Sequence, residues 1–179
     1  MDLLSLNDFK RLNGLSPTIN STFTKLEEEK GEVAEIVGKL RKMNGEKTKK
    51  LNSCIIYEKL LEELMDISQV CATMIYILTD SFNILIDDTK FHIDNSCSSF
   101  SYLLKKISIV QGNIASLILY INDDEFINKD LAIELIPLLL EIFKLSCSCI
   151  YFVSIKSNKE LDIIKSTHIN KLMKRGYLI

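Results

Sequence analysis

Glu29, Glu32, Glu63 and Asp66 stand where acids are unexpected. Glu29 and Glu32 lie in KLEEEKGEVAEIVGKL (25–40), and Glu63 and Asp66 in EKLLEELMDISQVCATMIYIL (58–78). At about 100° per residue, Leu26, Val33, Ile36, Val37 and Leu40 form one apolar stripe. Glu29 falls inside it and Glu32 on its edge. Leu60, Leu64, Ile67, Val70, Cys71, Met74 and Leu78 form a second stripe, with Glu63 inside and Asp66 on the edge. Two helices packed through these stripes bring four carboxylates into a half-buried cleft. Such a cluster must be neutralised by protonation, by cationic partners or by metal. Several carboxylates plus waters suit Mg²⁺ or Mn²⁺. Such ions bind phosphates and activate water for in-line attack on phosphorus, and a carboxylate outside the metal shell can orient that water. Spacing alone does not single these acids out, because helices are rich in glutamate. Their place on the apolar face does.

The elements that carry them follow from breakers and caps. Residues 1–16 read as a short leading helix ending at Gly14. Ser16-Pro17 then opens a helix over 19–43, which Asn44-Gly45 stops. The loop GEKTKKLNS (45–53) forms a basic patch of Lys39, Arg41, Lys42, Lys47, Lys49 and Lys50. It is either solvated surface or a phosphate-attracting rim. A second helix spans 54–78, and 79–100 holds a turn and a short helix. A third helix covers 101–121. Asn128 caps a fourth over 131–155, with Pro137 in its early turns, and a fifth runs from about 158 to Arg175-Gly176.

The totals fit this all-α, antiparallel helical bundle. The 179 residues suffice for one core-bearing domain. A 47% hydrophobic and 26% charged composition is that of an ordinary globular protein, and two prolines and six glycines leave few breakers. A net charge of -2 gives no case for a nucleic-acid partner. The five cysteines read as free buried thiols in a reducing, cytoplasmic setting, and Cys147 and Cys149 lack the histidine partner of a zinc site. The N-terminus has no uninterrupted apolar run and reads as no signal peptide. The most apolar stretch, 133–155, is interrupted by Glu134, Pro137, Glu141 and Lys144. That argues for a buried bundle helix and against a membrane partner.

The chain also resembles itself. DISQVCATMIYIL (66–78) aligns with EIFKLSCSCIYFV (141–153), TKFHIDN (89–95) with KSTHINK (165–171), and GEVAEIV (31–37) with GNIASLI (112–118). Two tandem helical-hairpin repeats result, 16–95 with the acids and 96–179 without most of them. Val110, Asn113 and Leu138 take the places of Glu29, Glu32 and Glu63, and only Glu141 keeps an acid, opposite Asp66. The second copy therefore reads as a structural partner of the first. His92 and His168, paired by the alignment, read as structural or surface residues.

Glu28-Glu29-Lys30-Gly31-Glu32 and Glu62-Glu63-Leu64-Met65-Asp66 resemble the paired acidic blocks of MazG-like, all-α nucleoside triphosphate pyrophosphohydrolases. SPTINSTFTKL (16–26) and HINKLMKRGYL (168–178) look like the flanking segments of that family, and the divergent second copy resembles its dUTPase-like members. The resemblance implies that Glu29, Glu32, Glu63 and Asp66 are catalytic ligands of Mg²⁺, assisted by Glu28 or Glu62. It implies that Lys171, Lys174 and Arg175 approach phosphates. The implied reaction releases pyrophosphate from a nucleoside triphosphate and leaves the monophosphate. Two other readings stand beside it: capture of a nucleotide without turnover, and a helical regulatory protein with vestigial acids. The duplication is compatible with a self-sufficient monomer or a homodimer.

Overall fold

A computed structural model describes residues 4–40, 53–86, 92–121 and 127–178 of the chain. These residues form five helices and no strand: α1 (Ile19–Leu40), α2 (Ser53–Phe82), α3 (Phe100–Ile118), α4 (Lys129–Ser157) and α5 (Leu161–Lys174). Each of the first four carries an apolar stripe at three- and four-residue intervals, and burying four stripes together makes an all-α bundle. Side-chain pairings set the directions. Thr22 near the start of α1 donates to Met74 late in α2, and Ser68 of α2 meets Ser146 of α4 at 2.8 Å. Lys159 just beyond α4 reaches Glu58 early in α2. α1 and α4 thus run antiparallel to α2, whereas α5 runs parallel to it, with Lys159 at Glu58 and Lys171 at Asp66, and α2 and α4 form the central pair. One apolar core, including the fully buried Leu60, Leu64, Phe143 and Ile150, runs through all five helices.

α4 is the one described helix long and apolar enough to cross a membrane, but 61% of its most apolar window is buried inside the bundle. Asn128 caps it as expected, accepting from the Leu131 N–H at 2.8 Å. Asn158, in the left-handed conformation at φ 54°, ends it, so α5 begins only at Leu161. Cys71, Cys97, Cys147 and Cys149 are free and buried, and burial pushes all four thiols up.

Over its described part, residues 4–16, the leading helix expected over 1–16 is replaced by an extended strap with a single 3-10 turn, Leu6–Asp8. The strap's carbonyls find partners on α2 instead of in a helix. Tyr76 donates its hydroxyl to Leu6 O at 2.5 Å and to Phe9 O at 3.3 Å, and Gln69 Nε2 donates to Lys10 O at 2.9 Å. Leu4, Leu6 and Phe9 are buried, and Phe9 meets Phe143 edge-on at 5.1 Å. In a helix Leu6 and Phe9 would share a face that excludes Leu4, and the extended strap lets all three enter the core. Of the expected basic patch only Lys39 is described, and it pairs with Glu35. Arg41, Lys42, Lys47, Lys49 and Lys50 lie outside the described residues.

Removing the Tyr76 hydroxyl takes the side-chain donor from Phe9 O and leaves Leu6 O with only the Phe9 N–H, at a cost of about 1–2 kcal/mol. Tyr76→Phe is expected to lower the denaturation midpoint modestly and to speed proteolysis within residues 4–16. An unchanged cleavage rate would show that the strap does not depend on the Tyr76 hydroxyl.

Candidate functional site

α1 turns Leu26, Glu29, Val33 and Ile36 onto one buried face, so Glu29 enters the bundle with its apolar neighbours and is only 3% exposed. Antiparallel packing sets this face against α2. One oxygen each from Glu29, Glu32 and Glu63 then lie within 4.8 Å of one another. Glu32 is exposed and Glu63 half-buried, so the cluster runs from the core to the surface. Lys25, one turn before Glu29, bonds it at 2.7 Å and Glu28 at 2.9 Å. The second oxygen of Glu29, Oε2, is buried with no hydrogen-bond partner.

The electrostatics follow from this crowding. Burial raises the Glu29 carboxyl pKa, against the opposing hydrogen bond from Lys25. Burial, the hydrogen bond to Glu32 and the charge of Glu32 push Glu63 up to about 7, with Lys171 opposing. Burial pulls the Lys25 ammonium down, but its bonds to Glu29 and Glu28 outweigh that, and its pKa is raised. Three clustered carboxylates with one orphaned, buried oxygen are a hard-donor set that fits a divalent cation.

The fourth expected acid stands apart. Asp66, 8% exposed and one turn after Glu63, is not part of the trio. Its Oδ2 pairs with Lys171 Nζ from α5, and its Oδ1 lies 3.5 Å from His168 Nδ1. The latter contact is neither a hydrogen bond nor an ion pair. Gln69 spends its amide N–H groups on Lys10 O and Thr73 Oγ1, so its Oε1 can only accept, and it faces His168 Nε2 at 3.4 Å. The ring proton therefore belongs on Nε2. Burial depresses the His168 pKa to about 4, against the pull of Asp66, so the imidazole is neutral and its Nδ1 is without a bonded partner. His168 is thus a buried residue of the site's second wall, whereas His92 is exposed.

Two cavities flank the Asp66–Lys171 pair, one lined by each residue. A groove of about 660 Å³ lies between α2 and α5 and carries Lys171, Lys174 and Arg175, all three expected cations, with Glu62 opposite. A smaller pocket of about 340 Å³ is walled by Leu12 and Leu15 of the strap, Leu172 and Tyr177, with Glu29, Asp66 and Arg175 on its polar side. The Asn13 N–H donates to Tyr177 O at 2.9 Å and ties strap to tail beside this pocket. In the other hairpin, Val110 is buried and Glu141 pairs with Lys106 at 3.6 Å.

Lys25 and the strap residues Leu12 and Leu15 were not among the expected site residues. Lys25 had a readable signal, since it stands four residues before Glu29 on a helix. The strap had none, because its role depends on a tail that closes over it from the far end of the chain. Comparison with protein families, with curated proteins and with solved structures finds no match for the chain.

A carboxyl held near 7 keeps its proton in the fold at pH values where its unfolded counterpart, near 4.5, has lost it. Glu63 therefore takes away stability progressively as pH rises from about 4.5 to about 7, and fully above that. In chelated, metal-free buffer, Glu63→Gln is expected to melt a few degrees above the parent at pH 8, at about 2–4 °C per kcal/mol, and level with it at pH 5. A difference that does not change with pH would refute the assignment.

Proposed function

We propose that the chain is a divalent-metal-dependent nucleoside triphosphate pyrophosphohydrolase that releases pyrophosphate and leaves a nucleoside monophosphate. The observation that carries this reading is the Glu29–Glu32–Glu63 cluster, with its orphaned Glu29 oxygen, placed beside the cationic end of α5. When bound, Mg²⁺ or Mn²⁺ would polarise the phosphate oxygens and supply a hydroxide-like water. Glu29, Glu32 and Glu63 would hold the ion, with Asp66 as the fourth carboxylate. Lys171, Lys174 and Arg175 would meet the phosphate chain from the groove, adding positive charge where negative charge develops. The raised pKa of Glu63 equips it to take a proton from an attacking water near neutral pH when it is not engaged by the ion.

The resemblance to MazG-like enzymes supports this reading, as does the hairpin organisation. In it, α1–α2 is the working unit and α3–α4 a diverged copy that replaces a second active unit and backs the first across the α2–α4 seam. One site per chain follows. A cytoplasmic setting accords with four free buried thiols.

One observation favours a second reading, capture of a nucleotide without turnover: Asp66 is engaged by Lys171 and stands outside the carboxylate trio.

Pyrophosphate release from a panel of ribo- and deoxyribonucleoside triphosphates with Mg²⁺ or Mn²⁺ decides the matter. Release is expected from at least one nucleotide, with Glu29→Gln and Glu63→Gln each reducing kcat by about 100-fold or more, the scale of losing one positioned charge. No release from any nucleotide, or unchanged release in both variants, would defeat the hydrolase reading. Binding with recovery of intact ligand would then establish capture.

A further inference from the structure

We infer that Lys171 is the resident counter-ion of the acidic cleft, competing with the divalent cation for Asp66 and closing off the two flanking cavities from each other. The inference rests on the metal-site reading above and specifies how that site is regulated. Its starting point is the asymmetry among the four acids. Glu29, Glu32 and Glu63 share one space, while Asp66, one helical turn beyond Glu63, carries an ammonium from α5 on its Oδ2. The separation is small, because the charge of Asp66 acts on both Glu29 and Glu63, and that of Lys171 acts on Glu63. Lys171 thus occupies the side of the cleft from which a fourth carboxylate would reach the trio.

Two positive charges cannot share such a place without a penalty. A divalent ion among Glu29, Glu32 and Glu63 would repel the Lys171 ammonium and attract Asp66, so each occupant weakens the other's hold. Such coupling is reciprocal: whatever factor the Lys171–Asp66 pair takes from cation affinity, the cation takes from the pair.

The placement gives the exchange a consequence for ligand access. Asp66 lines the smaller pocket, Lys171 lines the larger groove, and Arg175 borders both. The ion pair stands between the two spaces. Its release joins them into one cleft running from the apolar walls of Leu172 and Tyr177 to the cationic turn of α5. It also delivers an unpaired ammonium to that turn when the metal has arrived. Without metal, Lys171 is occupied and the cleft divided, so a triphosphate is engaged only after the cation.

Mn²⁺ binding to the full chain, followed by calorimetry and by the loss of free-ion paramagnetic resonance signal, tests this. Lys171→Met is expected to bind Mn²⁺ about tenfold more tightly than the parent, within the usual range for coupled sites. Lys171→Arg, which keeps the charge, is expected to stay near the parent. Hydrogen exchange needs no variant: amides of residues 171–177 in the parent are expected to exchange faster when Mn²⁺ is added. Equal or weaker Mn²⁺ binding by Lys171→Met, or unaltered exchange in the presence of bound Mn²⁺, overturns the counter-ion role while leaving the metal site standing. No Mn²⁺ binding by the parent or either variant overturns both.

Discussion

Burial of the Glu29 carboxylate between α1 and α2 is the constraint on which the rest of the site depends. An ionised carboxylate removed from water costs several kcal/mol unless its charge is answered. Lys25 answers at one oxygen, and the other has no partner. The apolar residues on either side of Glu29 hold it there. Leu26 and Val33 are 1% and 0% exposed, so turning Glu29 out to water would turn them out as well. The helix therefore keeps an acid inside because its neighbours are worth more buried than the acid costs. The neighbouring acids compound the cost, and the site relieves part of it by protonation at Glu63 and by salt bridges from Lys25 and Lys171.

α2 distributes these demands. Its Glu63 faces α1, its Asp66 faces α5, its Ser68 meets α4, and its polar residues Gln69 and Tyr76 receive the strap. Gln69 serves twice, fixing Lys10 O of the strap and the tautomer of His168 in α5. The two ends of the chain thus meet over the acidic face of one helix. Their junction, from Asn13 to Tyr177, stands beside the pocket that borders Glu29 and Asp66. α4 meets α2 along a buried seam. Its Ser146 hydroxyl bonds Ile142 O and Phe143 O within its own helix and meets Ser68 across the seam, so the polar atoms buried between α2 and α4 are satisfied locally.

The helices that matter most were legible because their patterns are long and strongly periodic. α1, α2 and α4 begin and end within a few residues of the expected positions, and Asn128 caps α4 as its side-chain chemistry requires. The meeting of Glu29, Glu32 and Glu63 was also legible, because two stripes that must face each other carry their acids with them. The strap was not. Its hydrogen bonds go to a helix some sixty residues away, which local periodicity does not report. The position of Asp66 was not legible either, since its partner Lys171 lies 105 residues further on.

The sequence by itself determined an all-helical chain and three of the four acids of the cleft. Periodicity is a local property, and helices bury their stripes wherever those stripes lead. Tertiary structure alone decided how the acids are answered. A carboxylate's partner is whichever cation the fold brings within about 3 Å, and α5 brought Lys171 to Asp66 and to no other acid of the cleft among the described pairs. A run of four equivalent-looking acids thereby became a trio that fits a metal ion and a fourth already held by the protein itself.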